Sequence, residues 1–194
     1  MEPVLFYRAE QGCAFGNIVA LEWLCQPYRL SRLDEAARPA PALLAGRRTI
    51  RNCRAILRHL GARRGHLLGY RAGTPERARL DEMMHFLNTE MLAEQPRMEA
   101  ACARLDALLR EREWLDGNKR TVADANFVAL GRWAERYASL DTRRYPHLRR
   151  HLRELCGDPA VYFADAIEQQ RPAVSSGRFL GHVSLAELEE RLAA

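Results

Sequence analysis

Lysine is almost missing from this sequence. Lys119 is the only one among 30 basic residues, so nearly all positive charge sits on arginine. Acidic residues are missing altogether between Ala36 and Pro75, a stretch that holds nine arginines (38, 47, 48, 51, 54, 58, 63, 64 and 71). No apolar run approaches the roughly 20 residues that a membrane-spanning helix needs. The five cysteines (13, 25, 53, 102 and 156) are odd in number and never spaced as CxxC, which argues against a disulfide framework or a zinc knuckle and for reduced thiols. The six histidines form no metal motif: His147 and His151 are four apart, but Arg149 and Arg150 lie between them and no acid completes the set, so no metal is expected. Internal repeats and low-complexity segments are also lacking. The first residues, Met1-Glu2-Pro3, are acidic and lead directly into Val4-Leu5-Phe6-Tyr7, which does not read as a signal peptide; a cytoplasmic protein is the expectation.

What is present describes a globular chain of one or two domains: 194 residues, 47% hydrophobic and 28% charged. The net charge of +5 is unevenly spread. Residues 1–75 carry twelve arginines against five acids, while the remainder is slightly acidic. The acid-free stretch predicts a cationic surface on the N-terminal part, suited to an anionic ligand or an acidic partner. Nucleic acid is poorly supported, because no recognition motif and no basic helix interleaved with aromatics is present.

Hydrophobic periodicity divides the chain in two. Val4–Tyr7 reads as a buried strand, Phe15–Cys25 as a helix apolar nearly all round, and Tyr28–Leu33 as a second strand. Residues 42–50 read as a hairpin turning at Ala45-Gly46. Asn52 is placed to cap a helix with Cys53, Ile56, Leu57 and Leu60 on one face. The order is β-α-β followed by β-β-α. After Gly61 a Gly- and Arg-rich segment intervenes, and from Pro75 onward every periodic stretch is helical. Leu80, Met83, Met84, Leu87 and Met91 mark one long helix; Leu105, Leu108 and Leu109 mark another. Thr121 and Asp124 have the spacing of a reciprocal cap on a central, buried helix. Pro146 suits the first turn of the next. The expected domains are 1–65 (α/β), a linker 66–74, an all-helical domain 75–170, and a tail 171–194 with a short helix capped by Ser184 and Glu187. That tail is read either as a lid over a cleft or as packed elsewhere.

Three stretches give the chain a family resemblance. LFYRAEQGCAFGNIVALEWLCQPYRL (5–30), APALLAGRRTIRNCRAIL (40–57), and WLDGNKRTVADANFVALGRWA (114–134) with YPHLRRHLRELCGDPAV (145–161) resemble the glutathione transferase superfamily, most closely its bacterial, beta-like members. The third stretch, with its capping box, is the most specific. The resemblance implies a thioredoxin-like N-terminal domain followed by an all-α domain, usually as a homodimer. It implies glutathione as co-substrate and activation of its thiol toward an electrophile or disulfide, in a cleft between the domains.

Carried over by position, the resemblance marks Cys13 as the catalytic thiol, with Tyr7 at the end of the first strand as the alternative activator. A helix N-terminus favours a thiolate, which is the reactive form in exchange. Pro41 matches the cis-proline, and Ala40 before it offers its backbone to the cysteinyl part of glutathione. Asn52 and Cys53 stand where the family usually has an acid and a serine for the γ-glutamyl group. Asn52 brings no charge and Cys53 is a poor donor. Phe15, His85, Asn88 and Thr89 are candidates for the co-substrate cleft. Only seven residues, Asp34 to Ala40, separate Leu33 from Pro41, too few for the three-turn helix expected there. These departures leave a second reading open: a non-catalytic relative that binds another anionic ligand or a protein partner.

Overall fold

The structure is a computed structural model that describes residues 2–8, 14–33 and 40–188. Its N-terminal part runs β1 (Val4–Tyr7), α1 (Phe15–Leu24), β2 (Tyr28–Arg32), β3 (Ala42–Ala45), β4 (Arg48–Arg51) and α2 (Cys53–Gly61). The hairpin turns at Gly46-Arg47, one residue later than expected, because the left-handed backbone of Gly46 (φ 62°) belongs inside the turn. β1 pairs parallel with β2 and antiparallel with β3, with Leu5 opposite both Leu30 and Leu43. The short connection after Leu33 falls on residues 34–39, outside the described residues.

All ten residues of α1 are buried. A helix that is apolar all round needs partners on every side, and α1 finds them in α2, α5 (Val122–Tyr137) and α7 (Pro159–Glu168). The approach to α5 is close enough to require Gly16: a Cβ there would lie 2.6 Å from the backbone oxygen of Ala125.

The helical part comprises α3 (Pro75–Glu90), α4 (Gln95–Glu111), α5, α6 (Pro146–Cys156) and α7. The Thr121–Asp124 reciprocal cap is present at the start of α5: Thr121 N–H donates to Asp124 Oδ2 at 2.8 Å and Ala123 N–H donates to Thr121 Oγ1 at 3.2 Å. Asp124 also accepts from Leu115 N–H (3.1 Å) and meets His151 Nε2 (3.2 Å), so this buried carboxylate organises three segments. The lone lysine has a structural post. Lys119 Nζ donates to the carbonyls of His66 (3.0 Å) and Gly69 (2.6 Å) and lies over the Tyr70 ring, tying the interdomain segment to the helical part.

The tail returns to the N-terminal sheet. β5 (Phe179–His182) pairs parallel with β2, giving the order β4-β3-β1-β2-β5. This fifth strand is not visible in the sequence pattern. It is four residues long and contains Gly181, so neither length nor alternation marks it. A helical turn over 185–188 follows, with the Ser184–Glu187 capping box present. Val183 and Leu188 then pack on Val4, Phe6 and Leu44, covering the sheet face opposite α1. The tail is therefore part of the domain it returns to.

Its anchor is Glu22, a carboxylate 1% exposed within α1. Glu22 accepts from Ser175 Oγ (2.8 and 3.0 Å), from Ser176 N–H (2.7 Å) and Oγ (3.0 Å), and from Gly177 N–H (2.7 Å). The Tyr28 hydroxyl donates to it as well, and burial beside Glu22 raises the pKa of that phenol. Donors on this scale are what a buried charge requires. A Cβ at Gly177 would lie within 3 Å of Glu22 atoms, so the tail passes close because the residue is glycine.

Candidate active site

Strand direction gathers the candidate residues at one end of the sheet. Phe6 pairs with Ala42, Ala42 with Arg51, and Tyr7 with Arg32. The carboxyl ends of β1, β2, β4 and β5 therefore share an edge with the start of β3. The Ala40-Pro41 peptide bond is cis and lies on this edge. Asn52 N–H donates to the Pro41 carbonyl at 3.1 Å, which holds the N-terminus of α2 beside it.

Asn52 is an unusual residue. Its backbone (φ 66°, ψ 149°) lies in a region other residues than glycine rarely visit, a cost of about 1–3 kcal/mol that recurs at ligand clamps. Its side-chain oxygen accepts from Ala55 N–H at 2.9 Å, the capping role expected of it. Cys53, half-buried in the first turn, accepts from Asn17 Nδ2 at 3.7 Å. Asn17 lies in α1 with 0% exposure, and its own side-chain oxygen finds no partner among the described residues. No acid sits in the first turn of α2, so its positive dipole end is reinforced by neighbouring Arg51 and Arg54.

A cavity of about 430 Å³ opens between α2 and α3, lined in part by Asn52, Arg54, Arg58, Arg77, Asp81 and Met84. Asp81 is shared between Arg77 (3.0 and 3.1 Å) and Arg58 (3.4 Å), so one carboxylate faces two guanidinium groups. Arg54 Nη1 reaches His85 Nδ1 at 3.5 Å across the gap. The structure thus brings Asn52, Cys53 and His85 to the interdomain region. Asn88 turns its amide back to the Met84 carbonyl (2.7 Å), and Thr89 is exposed on the next part of the same helix. Phe15 is 1% exposed and covered by the Arg132 guanidinium at 4.0 Å from its ring, so it presents no surface to a ligand.

Cys13 lies outside the described residues; the helix it precedes begins at Phe15 with no acid in its first turn. Tyr7 is 2% exposed, and its hydroxyl meets His182 Nε2 of β5 at 3.0 Å. Burial raises the Tyr7 pKa, with Arg32 opposing, so the phenol keeps its proton. Sequence reasoning did not find His182, Asn17 or Glu22. For the last two a signal existed: they are the polar interruptions of an otherwise apolar helix. Among the described residues no cluster of His, Cys, Asp and Glu could hold a metal ion, and no helix is long and apolar enough to cross a membrane.

Residues 65–159 match the C-terminal domain of glutathione S-transferases. The chain belongs to the glutathione S-transferase superfamily. No curated protein sequence matches it. Solved structures share its fold: a glutathione transferase of Methylococcus capsulatus (strain Bath) aligns with a TM-score of 0.74 at 21% identity, covering 87% of this chain and 99% of that one. A sphingomonad glutathione S-transferase complexed with glutathione gives 0.73 at 23%, covering 86% and 98%. The beta-class enzyme of Sphingomonas chungbukensis gives 0.72 at 22%, covering 85% and 98%. This superfamily member thus has a thioredoxin-like sheet domain and an all-helical domain, to which the tail adds a fifth strand.

Proposed function

We propose that the chain is a glutathione-dependent thiol transferase of the reducing cytoplasm that works as a homodimer. The reading rests chiefly on one observation: the Asn52 N–H to Pro41 carbonyl bond sets the acid-free N-terminus of α2 beside the Ala40-Pro41 backbone. A peptide-like ligand laid along Ala40 can bond its backbone, while the electropositive start of α2, with Arg54 beside it, suits a carboxylate. Glutathione supplies both chemistries, and a structural neighbour is described as complexed with it.

Cys13, before the N-terminus of α1, is the proposed reactive thiol. As a thiolate it attacks one sulfur of a disulfide that includes glutathione; the new S–S bond forms as the old one breaks, and the leaving thiolate takes up a proton. With an electrophile as second substrate, the attacking group is instead the glutathione thiolate, and a carbon–sulfur bond forms as the leaving group departs. Either co-substrate enters from the interdomain cleft near His85.

One observation favours the second reading, a non-catalytic relative that binds another anion or a protein. Asn52 is neutral and its side-chain oxygen already caps α2, so it offers an ammonium little. Losing a charge-assisted bond costs about 1.5–3 kcal/mol, or roughly 10- to 150-fold in affinity. Calorimetry with reduced and oxidised glutathione, on the wild type and Cys13→Ala, separates the two. The enzyme reading expects a micromolar to low-millimolar Kd for the wild type, and loss of a mixed disulfide with glutathione in Cys13→Ala. Absence of heat and of thermal shift at about 10 mM ligand, where a millimolar site would be nearly filled, refutes glutathione use and leaves the binding reading.

A further inference from the structure

A second pocket, of about 570 Å³, opens where β1, β2 and β5 end, on the flank of the sheet away from β3 and β4. Tyr7, Arg32 and His182 contribute to it from three adjacent parallel strands, and Arg171 and Glu187 from the segments that flank β5. The pocket exists because the tail returns: without β5 there is no His182 and β2 is a bare edge.

Among the described residues, one of its two arginines has no ion-pair partner. Arg171 donates to Asp165 at 2.7 Å, and Asp165 also receives Arg132, so that guanidinium is accounted for. Glu187 accepts from Ser184 N–H (2.7 Å) and Oγ (2.9 Å) as a helix cap. Among the described residues, Arg32, exposed at the end of β2, bonds the neutral side chain of Gln170 and has no carboxylate within ion-pair distance. Its field reaches the two neighbours. Arg32 opposes the burial that raises the Tyr7 pKa, and adds to the burial that lowers the His182 pKa.

We propose that this pocket is a binding site for a small oxyanion, a carboxylate or phosphate group, paired with Arg32 and hydrogen-bonded by Tyr7 and His182. Empty, the Tyr7–His182 pair has one proton between its facing atoms, with the phenol donating to a neutral ring nitrogen. An anion against Arg32 removes the repulsion that His182 feels. The ring then takes a proton, Nε2 becomes a donor to the Tyr7 oxygen, and the Tyr7 O–H is released to point at the anion. Binding and protonation of His182 are thereby coupled: affinity rises as pH falls through the His182 range, and the anion raises the His182 pKa by the same linkage. The groups facing His182 are Tyr7 from β1, Arg32 from β2, Arg171 after α7, Glu187 in the tail, and the Phe179 ring at 5.3 Å. This pocket lies on the β5 flank of the sheet and shares no lining residue with the cavity beside α2, and it gives Tyr7 a task other than thiol activation.

The test is NMR titration of histidine ring signals in the full chain, with inorganic phosphate and with malonate, the His182 signal being assigned by its loss in His182→Gln. The expected result is a saturable shift of that signal with at least one probe and a higher His182 pKa when it is bound. The tighter probe identifies the anion class. Arg32→Gln should weaken binding about ten-fold or more. Arg97→Gln, which removes an exposed guanidinium on α4, should leave binding unchanged. A shift that never saturates with either probe, or equal weakening by the two variants, overturns the proposal. Glutathione calorimetry on Arg32→Gln, expected to match the wild type, keeps this outcome distinct from failure of the thiol-transferase reading.

Discussion

Replacing Glu22 by glutamine is the sharpest perturbation of this fold, because one carboxylate holds a whole segment. In the native state its two oxygens receive two backbone N–H groups, two serine hydroxyls and the Tyr28 phenol, with 1% exposure. Hydrogen bonds to a charged group contribute about 1.5–3 kcal/mol each when deleted singly. Five such values would sum to about the whole stability of a domain, so they are not additive. Glutamine keeps one acceptor oxygen and turns an NH2 toward groups that are themselves donors. At least two bonds are lost and one donor pair is forced together, which gives an expected loss of about 2–4 kcal/mol. For a chain of this size that is roughly 5–15 °C in Tm. The loss should also be local. Arg178 is exposed directly after the anchored Ser175–Gly177 turn and is followed by Phe179, so trypsin should cut after Arg178 faster in the variant, ahead of any cut in the helical domain. A Tm within about 1 °C of the wild type, together with an unchanged cleavage pattern, would refute the reasoning and show that β5 pairing and Leu188 hold the tail without the clamp.

Two further outcomes follow from other buried positions. Burial raises the Glu168 pKa to about 7 from 4.5, despite Arg132 at 3.7 Å. The folded state therefore binds this proton more tightly than the unfolded state; the stabilisation is complete below pH 4.5 and is lost as pH rises through about 7, a change of about 3 kcal/mol. Glu168→Gln mimics the neutral form, so its Tm advantage over wild type should be small near pH 5 and grow toward pH 8; a flat difference would contradict this. The lowered pKa values of His59 and His182 act in the opposite sense in both proteins and cancel in the comparison. Gly16→Ala should separate α1 from α5 and cost about 1–3 kcal/mol in urea unfolding, since the new Cβ meets a backbone oxygen at 2.6 Å rather than a yielding side chain.

Much of the site was legible because it is local. The Asn52 cap reaches three residues, as does the Thr121–Asp124 box. The cis bond sits at the proline that the family resemblance marked. His85 faces Arg54, but Phe15 does not reach a ligand surface, because a helix buried on every side leaves its first residue no open face. Periodicity says that such a helix is buried and is silent on what covers each side.

By itself the sequence determined the order of the first four strands and of the main helices, the caps at Asn52, Thr121 and Ser184, and that an α/β part precedes a helical one. These rest on contacts within a turn or on the periods 2 and 3.6, which any short window contains. Only the tertiary structure decided that the tail joins the sheet, that Glu22 anchors it from 153 residues away, and that Tyr7 meets His182 across 175. An open strand edge and a buried charge each demand a partner, but the demand names no residue. Which segment meets it depends on where the chain passes once the core has formed, and no local pattern records that.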